Sequence, residues 1–403
     1  MIFTVIICLL IVGVIANYSG KLVEKIHLPA LIGMMIFGMF VGPSFLNLIP
    51  DNTLSIAPII KDIALVIVLF IGGLGISSKQ MKQIGRPAVL LSIVPATLEG
   101  ITVAFMSMIF LDFTFTQGMI LGFIIAAVSP AVLIPSMISL IKKKLGQDKA
   151  IPQMLLVGAS ADDTIAITLF TTFLGIYMQG KTGEKLTLIS GIMLIPFTII
   201  LSILAGFIVS KITNPIIEKI SNDYAKVFIA FVVCLVMRFI EKNLHVEIFN
   251  SLLTIMVYGF FIRNYIEEDG NIILQKMNEM WKIGKLYLFS FVGMAIDPKL
   301  VGKYFLVGII ILSISLSIRS IGVLIALTGT NLNKKERIFC VIAYLPKATV
   351  QSAKASIPLQ MGVAGGEIMQ AIAILSVLIT APIGAIGINS TADKFLYRSS
   401  ETD

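Results

Sequence analysis

The 403-residue sequence places two adjacent carboxylates, Asp162 and Asp163, in the middle of a long apolar stretch, within GASADDTIAI at 158–167. An ionisable group near the centre of a bilayer costs at least about 2.5–3.5 kcal/mol on insertion scales, so it faces a partner or an aqueous cavity. Neighbouring residues on a helix point about 100° apart. One carboxylate can therefore face an ion while the other faces a neighbouring helix or the cavity wall. A hard monovalent cation prefers oxygen ligands, and a carboxylate in low dielectric holds its charge only at a cost. Such a group can carry a proton or a cation, but not comfortably both, and that competition alone couples two ion flows.

Two prolines add to this signal. AAVSPAVLIPS carries Ser129 and Pro130 near the centre of one apolar stretch, and AYLPKATVQSA carries Pro346 and Lys347 similarly placed in another. Proline removes a backbone donor and disfavours helix in the residue before it, so both helices are predicted to be interrupted at mid-membrane. Half-helix ends would then face each other, with positive N-termini and negative C-termini. Lys347 is placed to offset the negative ends or to pair with Asp162 or Asp163. A third pair of charges, Glu99 in PATLEGITVA and Arg319 in SLSIRSIGVL, also falls within apolar stretches. Each would be prohibitive alone, so the two are predicted to pair, as a structural salt bridge or as a modulator of proton coupling.

The elements that must position these groups are membrane helices. The chain is 57% hydrophobic and 13% charged with a mean hydropathy of +0.97, against roughly 25% charged residues in a soluble domain. A soluble protein is excluded, and nucleic-acid binding is a poor reading of the +8 net charge. Cutting at charge clusters and Gly/Pro/Asn joints gives 13 candidate spans: 1–18, 28–46, 55–76, 87–110, 116–142, 151–178, 186–209, 224–240, 245–264, 280–296, 304–329, 336–357 and 366–389. The fold class is therefore an all-α membrane protein. Joints after odd-numbered spans, with the C-terminal tail, hold 21 Lys and Arg residues, and those after even-numbered spans hold 6. The positive-inside rule then puts the N-terminus outside and the C-terminus in the cytoplasm. The fifth and twelfth spans, which carry the prolines, enter from opposite sides. Paired interruptions in oppositely oriented halves point to inverted repeats with a midplane ion site.

Other signals are weaker. Cys8, Cys234 and Cys340 have no paired or metal-ligand spacing and read as packing residues. The first stretch lacks a basic n-region and an A-x-A site, so it reads as a retained helix. Lys61 and Asp62 adjoin near the start of the third span, where snorkelling explains them. Lys354 reads as an interfacial anchor or the lining of a funnel. His27 and His245 sit near span ends and could titrate near physiological pH. No P-loop is present, so ATP-driven pumping is unsupported. Neither an enzyme activity nor a cofactor is expected.

At these residues the sequence resembles the cation/proton antiporter superfamily, specifically the sodium/proton antiporters with a two-aspartate motif. VSPAVLIPSM, the DDxxAI at 162–167 and LPKATVQSA at 345–353 are most similar to the NHA subgroup. The resemblance implies Na+ or Li+ exchanged for H+ by a homodimer in a cell's inner (cytoplasmic) membrane. It implies dimerisation helices at 1–86 and 224–303, a moving core at 87–185 and 304–403, and a linker helix at 186–223. The core would work like an elevator against a fixed scaffold. Asp163 would be the principal ion-binding and proton-carrying carboxylate and Asp162 its partner, with Ser129 as a further oxygen at the cation. Lys347 and the Glu99–Arg319 pair would balance charge. Two departures bear on stoichiometry. Ser129 stands where several relatives have an acid, and Arg319 stands where many electrogenic relatives have lysine. Arginine hardly deprotonates, so one proton per cation is expected. K+/H+ exchange is the alternative within this class. A cation channel or an organic-anion symporter is the alternative outside it.

Overall fold

A computed structural model describes residues 2–26, 29–76, 78–182, 188–244, 250–348, 351 and 354–399. His27 and His245 lie outside the described residues. The helices are α1 (Ile2–Lys25), α2 (Ala30–Val41), α3 (Asp51–Leu54), α4 (Ala57–Leu74), α5 (Ser78–Leu111), α6 (Phe115–Ile125), α7 (Pro130–Lys142), α8 (Ile151–Thr182) and α9 (Leu188–Glu218). They continue with α10 (Asp223–Leu244), α11 (Ser251–Tyr265), α12 (Glu267–Met294), α13 (Pro298–Lys303), α14 (Phe305–Ala326), α15 (Lys334–Ala343), α16 (Ile357–Gln360) and α17 (Gly366–Phe395). Among the described residues the β structure is one isolated bridge between Leu145 and Arg398. There the Gly146 N–H donates to the Tyr397 carbonyl at 2.7 Å, tying the end of the chain to the α7–α8 loop.

Eight helical segments among the described residues are long and apolar enough to cross a membrane. Among the described residues, shorter or more polar helix also falls within the predicted spans at 28–46, 224–240, 245–264, 280–296 and 336–357. The largest boundary difference is α12, which starts at Glu267 rather than near 280. Its first turns carry Glu267, Glu268 and Asp269 at the positive end of the helix dipole, so the helix continues beyond its apolar part. Local signals set other ends. Thr114 and Gln117 form a reciprocal capping box at the start of α6, and Asn333 and Glu336 do the same for α15.

Helices α5, α6 and α8 pack on one another and α14 packs on α5, with α15 and α17 joining them. Helices α2, α4, α11 and α12 form a second group with α1 and α10, and α9 packs against α8 and α11. The outer faces of α1 and α9 expose Phe3, Leu10, Val14, Phe197, Ile200 and Ile208. Apolar surface of that extent suits hydrocarbon rather than water.

Both predicted interruptions are present. Helix α6 ends at Ile125 and α7 starts at Pro130, where proline's missing N–H costs nothing. Helix α15 ends at Ala343, and 345–348 run non-helical through Pro346. The two breaks cross, because the Ser129 N–H donates to the Pro346 carbonyl at 2.8 Å. Gly384 on α17 makes room, since a Cβ there would run into the Pro346 ring.

Candidate functional site

A helix broken in an apolar interior leaves backbone groups that need partners. Here the two segments satisfy each other. At the C-terminal end of α6, Gln351 Nε2 donates to the carbonyls of Ile125 (3.2 Å) and Ala127 (2.7 Å). The Ala126 carbonyl between them accepts from Lys347 Nζ at 3.2 Å and from Arg319 Nη1. On the other segment, the Tyr344 carbonyl accepts from Arg319 Nε at 2.8 Å. The Lys347 N–H reaches Thr380 Oγ1 at 2.8 Å, and the Ala348 N–H reaches Gln351 Oε1 at 2.9 Å. Cationic and amide donors thus cluster on the negative half-helix ends, as the dipole favours.

The ionisable groups gather around this crossing. Arg319 on α14 donates to Glu99 Oε2 on α5 at 2.6 Å and to Asp162 Oδ2 on α8 at 3.2 Å. Lys347 Nζ donates to the same Glu99 oxygen at 2.7 Å. The Val128 N–H, in the first break, donates to Asp162 Oδ2 at 2.8 Å. Glu99, Asp162, Arg319 and Lys347 are fully buried, and Asp163 is 3% exposed.

Lys347 differs from the sequence expectation in its partner. It makes no ion pair with Asp162 or Asp163; it takes Glu99 and the α6 end, and Arg319 is the counter-charge of Asp162. The cause is geometric: the planar fork of arginine can serve two carboxylates and two carbonyls at once, whereas the single ammonium of lysine needs one compact oxygen cluster. Glu99 and Arg319 are consequently not an isolated pair but the middle of a chain from Lys347 to Asp162.

Several oxygens remain open. Asp162 Oδ1, Asp163 Oδ1, Glu99 Oε1 and the Ser129 hydroxyl are buried without a hydrogen-bond partner, and so is the Tyr344 hydroxyl. Buried polar atoms are rarely left in this state. Three carboxylates face two cationic groups in the cluster, so one negative charge is in excess when all are ionised. The open oxygens of Asp162 and Asp163 and the Ser129 hydroxyl are the right chemistry for a desolvated monovalent cation, and either carboxylate can take a proton instead.

Sequence reasoning passed over three contributors. Gln351 closes the α6 end, and its signal was present, a long polar amide four residues after Lys347 in an apolar stretch. Tyr344 lies with its ring centroid 5.5 Å from the Arg319 guanidinium carbon, and its hydroxyl sits where a Cβ at Gly158 would fall. Asn250 caps α11 and donates from Nδ2 to Thr164 Oγ1 at 3.1 Å, one residue along from Asp163.

Asp62, expected to snorkel with Lys61, has specific partners. Asp62 accepts from Arg238 Nη2 at 2.8 Å and Nε at 3.1 Å, and pairs with Lys242 at 2.7 Å. Arg238 also pairs with Glu241, which accepts from the Ser251 hydroxyl. This is a network joining α4, α10 and α11. Lys354 lies 5.7 Å from the centre of the Phe170 ring on α8.

Fold and site together define a multi-pass helical membrane protein with two broken segments crossing at a buried charged cluster. The family model described as sodium/hydrogen exchanger, transmembrane, matches residues 5–394, and the chain belongs to that family. It is 31% identical to sodium/hydrogen exchanger 9B2 of Xenopus tropicalis over 417 residues, covering 95% of this chain and 74% of that protein. It is 29% identical to human sodium/hydrogen exchanger 9B2, again with 95% and 74% covered. Its fold is similar to that of the sodium proton antiporter MjNhaP1 from Methanocaldococcus jannaschii, with a TM-score of 0.79, 18% sequence identity, and 98% and 99% of the two chains covered.

Proposed function

We propose that the chain is a secondary active antiporter exchanging Na+ or Li+ for H+ at Asp162 and Asp163. The observation that carries this reading is the single negative charge in excess within a fully buried cluster whose unpartnered oxygens belong to those two aspartates and Ser129. One monovalent cation or one proton neutralises the site; both together would leave it positive. Asp163, with no cationic partner within ion-pair distance among the described residues, is the exchanging carboxylate. Asp162 is held toward Arg319 and the Val128 N–H. Glu99, Arg319 and Lys347 keep their charges paired through the cycle. Exchange on this basis is one for one.

The reading extends to 13 spans with the N-terminus outside, to residence in a cell's inner membrane, and to a homodimer. It includes alternating access in which helices α5–α8 and α14–α17 move against the rest. Asn250–Thr164 and Ser160–Met256, both linking α8 to α11, are contacts such a movement would break. Potassium is the alternative cation, since oxygen ligands alone do not set ion size.

The test is proton movement in proteoliposomes driven by a cation gradient. Asp163→Asn abolishes it if the assignment holds. Exchange at the unaltered rate would refute it.

A further inference from the structure

Helices α8 and α11 belong to different helix groups, and a polar bridge joins them beside the ion site. Asn250, immediately before α11, donates from Nδ2 to Thr164 Oγ1 at 3.1 Å, and Thr164 follows Asp163 on α8. Asn250 is 7% exposed and Thr164 1% exposed. Other positions on the same face of α8 behave differently. Val157, Ala161 and Thr168 are half-buried and Thr171 is exposed. All four lie within about 60° of Thr164 around the helix. Thr164 is covered where Asn250 meets it.

The bridge is anchored unequally. Asn250 Oδ1 accepts from the Leu253 N–H at 3.0 Å as the cap of α11, and the Asn250 carbonyl accepts from the Thr254 N–H at 3.0 Å and from Thr254 Oγ1 at 2.9 Å. The Asn250 N–H donates to Ser202 Oγ on α9 at 3.0 Å. Ser251, next in the chain, donates to Glu241 of α10. Several bonds therefore tie Asn250 to α9 and α11, whereas among the described residues a single bond ties it to α8. One turn before Thr164, Ser160 Oγ lies 2.7 Å from Met256 Sδ on α11, a contact with a weak acceptor. Displacing α8 against α11 parts Asn250 from Thr164 and leaves the cap in place.

We infer that the Asn250–Thr164 hydrogen bond is a latch that holds the ion-bearing turn of α8 against α11 and limits the rate at which the site changes sides. Resting on the antiport reading and its moving core, this gives Asn250 and Thr164 a positioning role; neither touches the bound ion. A buried amide and hydroxyl that lose each other without gaining a new partner bear the full desolvation penalty. Parting them is then part of the barrier to movement. A variant unable to form the bond starts from a less stable resting state and crosses a lower barrier. Losing this contact speeds exchange, whereas losing a purely structural contact would not.

The experiment measures initial exchange rates at saturating Na+ with full-length protein in proteoliposomes. Thr164→Val removes the acceptor and leaves the cap of α11 intact. Asn250→Ser keeps a capping oxygen but is too short to reach α8. Each is expected to raise turnover about fivefold, the worth of one buried neutral hydrogen bond. The double variant should go no faster than either single one, because both remove the same bond, and Thr164→Ser should keep the wild-type rate. Unchanged or lowered turnover in either inserted single variant overturns the latch, as does a double variant in which the two effects multiply. Exchange that continues in these variants leaves antiport standing; that reading falls only with Asp163→Asn.

Discussion

The two charged clusters are built from the same residue types and answer to different physics. Around the crossed breaks, three carboxylates face two cations, all buried, and oxygens of Asp162, Asp163 and Glu99 have no partner. Between α4, α10 and α11, two carboxylates face a surplus of cations, the groups are only half-buried, and Asp62 is saturated by Arg238 and Lys242. A buried polar network left partly unsatisfied is destabilising in itself. On the proposed reading, a transported ion completes the first cluster. In the second, both Asp62 oxygens are taken without one. Open oxygens, rather than charge as such, distinguish the two clusters.

The two clusters should differ most in their effect on exchange itself. Asp163→Asn should eliminate cation-driven proton movement, whereas Asp62→Asn should leave exchange running; a dead Asp62→Asn protein, folded and inserted, would erase the distinction. The next effect is on stability. Removing one partner of a buried ion pair costs about 3–5 kcal/mol because the other charge is stranded, so Arg319→Ala should lower the thermal unfolding temperature in detergent far more than Arg238→Ala, and more than it lowers turnover at saturating cation. Equal shifts would mean that the two clusters are equally buried in practice. Gln351→Leu should cost about 1–3 kcal/mol, the penalty of leaving carbonyls at the α6 end unpaired; a neutral result would show that water reaches the break. The smallest effect belongs to Lys242→Ala, whose partly exposed pair with Asp62 is worth at most about 1 kcal/mol. A larger loss there would argue that the second network is not merely structural.

Much of this contrast was legible in the sequence, because insertion cost makes every charge in an apolar span conspicuous. Asp162, Asp163, Glu99, Arg319 and Lys347 stand out for that reason, and Pro130 and Pro346 mark the breaks through backbone chemistry alone. What spacing does not encode is which cation takes which acid. Glu99 is 220 residues from Arg319 and 248 from Lys347, and the choice among partners depends on side-chain reach across a packed crossing. Neutral groups escaped for a different reason. Gln351 and Asn250 are polar enough to stand out, but an uncharged side chain has many uses in a packed helix, and which backbone group or hydroxyl each one serves is fixed only by the packing. The polar first turns of α12 were missed likewise, since a helix can continue past the apolar part that reveals it. Asp62 was misread because its partners, Arg238 and Lys242, lie on a helix 176 residues away.

The proposed exchange trades one cation for one proton at a buried cluster carrying one excess negative charge. It is tested most directly by measuring Na+-driven proton flux in proteoliposomes with an imposed membrane potential of either sign, repeated with Li+ and K+. A one-for-one exchange moves no net charge, so the account predicts a flux set by the ion gradients and indifferent to the potential. A flux driven or reversed by the potential alone would contradict it, and would require a second proton carrier within the cluster.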